Sequence, residues 1–182
     1  MTILNTDDTA ILIIDIQEKL LNAIFNKDIV AKKSEILVKA ANILSIPTFV
    51  TEQYPQGLGS TVDSIKFNLS VDTKFYEKTT FNALTDETLK NDIKNTNAKN
   101  IFIAGIETHI CVHQTVNALI NTGYRVTVLK DCCGSRSEFE YNSALETMKD
   151  YGAKIKTTEM VLFELLKTAK HPNFKEIQAL IK

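Results

Sequence analysis

The stretch "IFIAGIETHICV", Ile101 to Val112, decides how this chain is to be read. Its first four residues are apolar, rich in β-branched side chains and too few for a helix, so they read as a strand buried on both faces. The run breaks at Gly105. Beyond it Val112, Val116, Leu119 and Ile120 recur at helical spacing, with Thr108 placed to cap that helix and Cys111 near its third residue. A two-sided buried strand that passes through a turn into an amphipathic helix is the repeating unit of a parallel sheet.

The same alternation extends in both directions. "AILIID" (10–15), "PTFVTE" (47–52), "TKFYEK" (73–78), "NIFIAG" (100–105), "YRVTVL" (124–129) and "AKIKTT" (153–158) read as six strands. Helical stripes lie between them: Ile36, Ala40, Ile43 and Leu44 before the second strand's partner elements, and Tyr141, Leu145, Met148 and Tyr151 before the sixth strand. Strands joined by crossover helices run parallel, and the helices cover both faces, which gives a three-layer α/β/α domain over residues 1–182. With 182 residues and 44% hydrophobic content, one core of ordinary size is expected.

Composition limits the partners. The 21 basic and 22 acidic residues leave a formal charge of −1, which offers no field for nucleic acid or anionic lipid. A small-molecule substrate is expected, with no nucleic acid and no membrane partner. The start, "MTILNTDDTA", places aspartates where a signal peptide needs basic residues, and no apolar run approaches a membrane span. Three cysteines, Cys111, Cys132 and Cys133, suit free thiols better than a disulfide framework. The expected location is cytoplasmic.

Open parallel sheets gather their ligand sites beyond the carboxyl ends of the strands. Three residues there carry chemistry. Asp15 ends the first strand, where it serves equally as a helix cap for the segment from Ile16 or as a catalytic carboxylate. Lys78 ends the third, where a solvated charge is the ordinary reading. Cys111 follows the fourth, and cysteine is commonly buried packing. On an N-terminal helical turn beside a lysine, however, a thiol is expected to ionise more easily. Together the three supply a nucleophile, a base and an electrostatic partner. The long segment "QYPQGLGSTVDSIKFNLS", Gln53 to Ser70, is expected to be irregular and to wall a pocket.

The ordered blocks "ILIIDIQ", "EKTTFNAL", "GIETHICV" and "VLKDCCGSR" resemble the cysteine hydrolases of the isochorismatase-like superfamily over nearly the full chain. The resemblance implies a Rossmann-like strand order of 3-2-1-4-5-6 and a triad of Asp15, Lys78 and Cys111. It also implies a cis peptide between Ile106 and Glu107, an oxyanion hole made by the backbone N–H groups of Glu107 and Cys111, and a homo-oligomer. It points to hydrolysis of a small amide or related C–N bond through a thioester. Two alternatives stay open: vinyl ether cleavage of the isochorismate type, and a non-catalytic binding or scaffolding module on the same fold.

The departures from relatives narrow this further. Nicotinamidases of the superfamily carry a "D-x-H" metal element after the second strand, where this chain has "TEQYPQGLG". Its histidines are His109, His113 and His171, so no metal and no cofactor are expected. His109 and His113, four apart, lack a third ligand and read as surface or packing residues. The "TEQYPQGLG" segment resembles the subgroup of isochorismatase domain-containing proteins, which implies a substrate pocket lined by Gln53 and Tyr54, with Gln17, Phe81 and Ile106 close by. Cys132 and Cys133 read as structural, Asp131 and Arg136 as partners or loop braces, and Ser135 or Ser137 as a helix cap. Phe174, Ile177 and Ile181 form a C-terminal stripe that fits the parent sheet or a neighbouring subunit.

Overall fold

The computed structural model describes residues 4–182. Six strands, β1 (Thr9–Ile14), β2 (Thr48–Gln53), β3 (Phe75–Lys78), β4 (Asn100–Ile106), β5 (Arg125–Gly134) and β6 (Lys154–Lys156), form one sheet in the order β3-β2-β1-β4-β5-β6. Every neighbouring pair is parallel. The order reverses between β1 and β4, so loops leaving these two strands diverge and open a crevice at their carboxyl ends.

The helices are α1 (Glu18–Leu21), α2 (Lys27–Ile43), α3 (Pro55–Leu58), α4 (Asp63–Lys66), α5 (Glu87–Lys94), α6 (His113–Asn121), α7 (Glu138–Asp150), α8 (Thr158–Leu166) and α9 (Phe174–Ile181). β1 and β4 are buried along their whole length, as their unbroken apolar runs require. Ile11 and Ile13 face the layer of α2, α8 and α9, while Ala10, Leu12 and Ile14 face that of α5, α6 and α7. The C-terminal stripe settles on its own chain: Ile177 is fully buried, and Phe174 meets Phe163 of α8 edge to face at 6.2 Å. No helix among the described residues is long and apolar enough to cross a membrane.

Two segments differ from expectation. Residues 53–70, expected to be irregular, contain α3 and α4 and an isolated antiparallel bridge between Gln17 and Thr61. Short helices starting at Pro55 and Asp63 satisfy backbone groups locally, which an 18-residue coil against a buried site could not do. β5 runs beyond Leu129 through both cysteines. From Ile103 to Gly105, two steps along β4 are matched by five along β5, from Val128 to Cys133. The odd surplus exchanges the faces, so Cys132 enters the α2 layer and Cys133 the α6 layer. Both are fully buried, and burial pushes the Cys132 thiol up to about 12 and the Cys133 thiol well above its ordinary value.

Gly105 governs how closely β1 and β4 approach below the crevice. Its φ is +156°, and a Cβ there would lie 2.6 Å from both Cβ and the carbonyl oxygen of Ile14. Gly105→Ala is therefore expected to force the strands apart beneath Asp15 and lower stability by about 2–3 kcal/mol. Urea unfolding followed by circular dichroism measures this; a loss below about 0.5 kcal/mol contradicts the close-approach role.

Candidate functional site

β1 delivers Asp15 to the crevice with its side chain fully buried. The residue takes a left-handed backbone conformation, φ 54°, and its N–H donates to the carbonyl of Thr51 at 3.1 Å. It is not a helix cap. The Thr51 hydroxyl donates to Oδ1 at 2.7 Å, and Lys78 Nζ donates to Oδ2 at 2.5 Å. The Lys78 side chain is only 3% exposed, so this is a buried ion pair and not a solvated charge. Such a pair persists only if both ions keep further partners. Lys78 has two: Gln53 Oε1 at 2.6 Å and the Thr80 carbonyl at 3.2 Å.

The carboxyl end of β2 carries three polar residues in succession, and each is used. Thr51 holds Asp15. Glu52, buried, accepts from the Thr61 N–H at 2.6 Å and the Thr61 hydroxyl at 2.8 Å, which ties down the segment after α3. Gln53 meets Lys78, and its Nε2 donates to the Thr79 carbonyl at 2.8 Å. Gln17 grips the Gln53 main chain from both sides: Nε2 donates to its carbonyl at 3.0 Å, and Oε1 accepts from its N–H at 2.7 Å. The same Nε2 reaches the Gly59 carbonyl at 2.7 Å. Gln17 thus has no free polar atom toward a pocket.

β4 ends at Ile106, the Ile106–Glu107 peptide is cis, and the chain enters a π-helical turn, Thr108–Val112, that continues into α6. Thr108 does not cap it. Its hydroxyl donates to the Gly134 carbonyl at 2.8 Å, pinning the turn to β5. Cys111 is 6% exposed and adjoins both Asp15 and Lys78. The expectation of an easily ionised thiol is overturned: it is pushed up to about 12, first by burial and then by the Asp15 charge, with Lys78 opposing. Since Lys78 spends its charge on Asp15, the thiol sees a nearly neutral pair in a dry setting, where the thiolate is disfavoured.

The remaining expected residues fall into separate groups. Tyr54 and Phe81 are half exposed. Tyr54, with Lys78 and Glu77, borders a cavity of about 250 Å³. A cavity of about 580 Å³ at the opposite end of β2 is far from these groups. Ile106 has no exposed surface and packs in the α2-side core, so it contributes backbone and no side-chain wall. Asp131 and Arg136 do not pair with each other: Asp131 accepts from the Thr158 N–H at 2.8 Å, at the start of α8, while Arg136 Nε meets Glu107 Oε1 at 2.8 Å. Arg136 also contacts His109, whose other ring nitrogen meets Ser135. His113 stacks on Tyr151 at 6.5 Å. Ser137 is the cap of α7. Among the described residues, no three His, Cys, Asp or Glu side chains converge as metal ligands. Thr51, Glu52 and Thr61 were missed by sequence reasoning; the signal was the polar triplet "TEQ" closing an otherwise apolar strand.

Residues 9–160 match the family model described as Isochorismatase domain. Isochorismatase family protein 1A of Dictyostelium discoideum is 40% identical over 177 residues, covering 96% of this chain and 86% of that protein. MAR1 Ribonuclease from Caenorhabditis elegans superposes with a TM-score of 0.90 at 39% identity, covering 98% of this chain and 91% of that one. YcaC from Pseudomonas aeruginosa, solved with hexane-2,5-diol and covalent acrylamide, gives 0.91 at 25% identity over 97% and 90%. Its counterpart from Escherichia coli, an octameric hydrolase of unknown specificity, gives 0.88 at 25% over 97% and 94%.

Two outcomes follow from the buried pair and the dry thiol. Lys78→Met strands the Asp15 charge and is expected to destabilise the protein by about 3–5 kcal/mol, most of which Asp15→Asn in the same chain restores. Denaturant unfolding of both single variants and the double variant tests this, and additive losses contradict it. Thiolate absorbance near 240 nm is expected to develop for Cys111 only well above pH 9, since its titration is raised. Thiolate at neutral pH in the unliganded protein would show that Lys78 outweighs burial.

Proposed function

The chain belongs to the isochorismatase family, and on that premise we propose that it is a cysteine hydrolase of a small amide or related C–N bond. One observation supports this above others: the Cys111 thiol adjoins a buried carboxylate already neutralised by a buried ammonium. In this reading Cys111 Sγ attacks the carbonyl carbon while its proton passes to Asp15. The raised thiol fits such a coupled transfer, because the thiolate forms only as the carbon–sulfur bond does. The oxyanion takes the backbone N–H groups of Glu107 and Cys111. Asp15 then gives its proton to the nitrogen, ammonia leaves, and a thioester remains. Water deprotonated by Asp15 attacks that thioester and returns the thiol and a carboxylic acid. Lys78 stays paired throughout and balances the changing charge on Asp15.

YcaC with covalent acrylamide supports a nucleophile on this fold, since acrylamide is an electrophile that carries an amide. A cation at this site would have to share its carboxylate with the Lys78 ammonium, so the donor set favours metal-free chemistry. Half-exposed Tyr54, which borders the cavity beside Lys78, fits a small planar or apolar substituent. The likeness to a ribonuclease makes RNA the rival substrate, but a net charge of −1 and a buried cation are poorly suited to a phosphate backbone. The octameric YcaC supports assembly of identical copies, for which Phe25, Ile29 and Phe139 leave exposed apolar surface. Cytoplasmic placement is part of the same reading.

A panel of small amides, ureides and carbamoyl compounds, with RNA as an added arm, is expected to include one that releases ammonia. Chelator should leave that activity unchanged, Cys111→Ala should abolish it, and Asp15→Asn should lower kcat by about 10²–10⁴-fold. Isochorismate cleavage that survives Cys111→Ala would replace this reading with acid-catalysed vinyl ether hydrolysis.

A further inference from the structure

We propose that Gln53, expected from sequence to touch substrate, is instead a positioning residue that holds one proton of the Lys78 ammonium away from Cys111. The inference rests on the Asp15, Lys78 and Cys111 reading above and adds a fourth member to it.

The ammonium has three protons and three protein acceptors: Asp15 Oδ2, Gln53 Oε1 and the Thr80 carbonyl. With the amide oxygen at 2.6 Å, one proton is held away from Cys111 and the rotation of the other two is fixed. The amide itself cannot turn over. Its Nε2 is committed to the Thr79 carbonyl, and a reversed amide would set NH₂ against an ammonium. Nor can the residue shift, because Gln17 holds its N–H and its carbonyl, while β2 and β3 pair in register at Gln53 and Lys78. One donor and one acceptor of this side chain are already committed and its main chain is held on both sides, an arrangement suited to positioning.

The charged surroundings make the effect specific. Asp15 from β1 and Lys78 from β3 bear on the Cys111 thiol. Glu52, beside Gln53, is turned to Thr61. Glu77 meets Gln56. Glu107, on the cysteine's own turn, is paired with Arg136. Changing Gln53 therefore acts on the thiol through Lys78. Gln53→Glu gives the ammonium a second carboxylate and adds negative charge, so it should disfavour the Cys111 thiolate. Gln53→Met removes the neutral acceptor and frees a Lys78 proton toward the sulfur, so it should favour the thiolate. A merely structural glutamine would not produce opposite signs.

The test is iodoacetamide labelling of Cys111 in the full chain, located by mass spectrometry, from about pH 6 to about pH 11. Wild type, Gln53→Glu, Gln53→Met and Asp15→Asn are compared, with thermal unfolding of each. Relative to wild type, Gln53→Glu is expected to move the profile to higher pH and slow labelling at a fixed alkaline pH by at least about tenfold. Gln53→Met and Asp15→Asn are expected to move it to lower pH. If Gln53→Met does not fold, Gln53→Leu, which also lacks the acceptor, takes its place, because the charge added by Gln53→Glu acts on the thiol even without a positioning role. A Gln53→Glu profile that superimposes on wild type while Asp15→Asn shifts overturns this inference and leaves the triad standing. A profile that Asp15→Asn fails to move overturns the triad reading beneath it.

Discussion

The ion pair between Asp15 and Lys78 sets the terms for the surrounding structure. Two charges with 0% and 3% exposed side chains remain in a dry sheet edge only if every other lone pair and proton is matched. Thr51 and Gln53 supply those matches from β2, the strand that separates β1 from β3 in the sheet. Hence the end of β2 is polar where its middle is apolar. Gln53 must itself stay fixed, which accounts for Gln17. Glu52 and Thr61 then hold the chain after α3 against the same edge. What reads in sequence as a loose loop is a clamp built outward from one salt bridge.

A balanced pair also explains why the neighbouring thiol does not behave as a lysine-activated cysteine. Were Lys78 free, its charge would favour a thiolate at Cys111. Paired at 2.5 Å, it offers little net field, and burial dominates. The site is held in a low-charge state, and in the proposed reaction charge separation is postponed to the moment of attack. Reactive thiolates invite oxidation, and a protonated sulfur on a buried residue resists it.

The fold was largely legible because its strands are short apolar runs and its helices keep a clear 3.6-residue stripe. β1 and β4, buried on both faces, left no other reading. Strand ends were less legible. β5 continues past Leu129 because "KDCC" pairs with β4 only through a three-residue surplus, and no periodicity survives such a shift. At the site, the positions of Asp15, Lys78 and Cys111 followed from strand ends and motif order. Which partners they keep did not, since that depends on residues distant in sequence. Thr51 and Asp15 are 36 apart, and Lys78 and Asp15 are 63 apart. Thr108 shows the same limit: its local role as a cap lost to a long-range bond with Gly134. Ile106 fits a pocket wall by position, but alternation along β4 sends its side chain into the core.

The surplus in β5 gives the two adjacent cysteines different addresses. Cys132 sits under α2 and α8, where its sulfur meets the Thr158 hydroxyl, while Cys133 sits under α6 and α7 and reaches the Ile103 carbonyl. One peptide bond separates them, yet a reagent must breach a different helical layer to reach each. The chain thus carries its own pair of spectators on partial opening: modification of one sulfur without the other identifies which side of the sheet has lifted, and simultaneous modification marks loss of the whole.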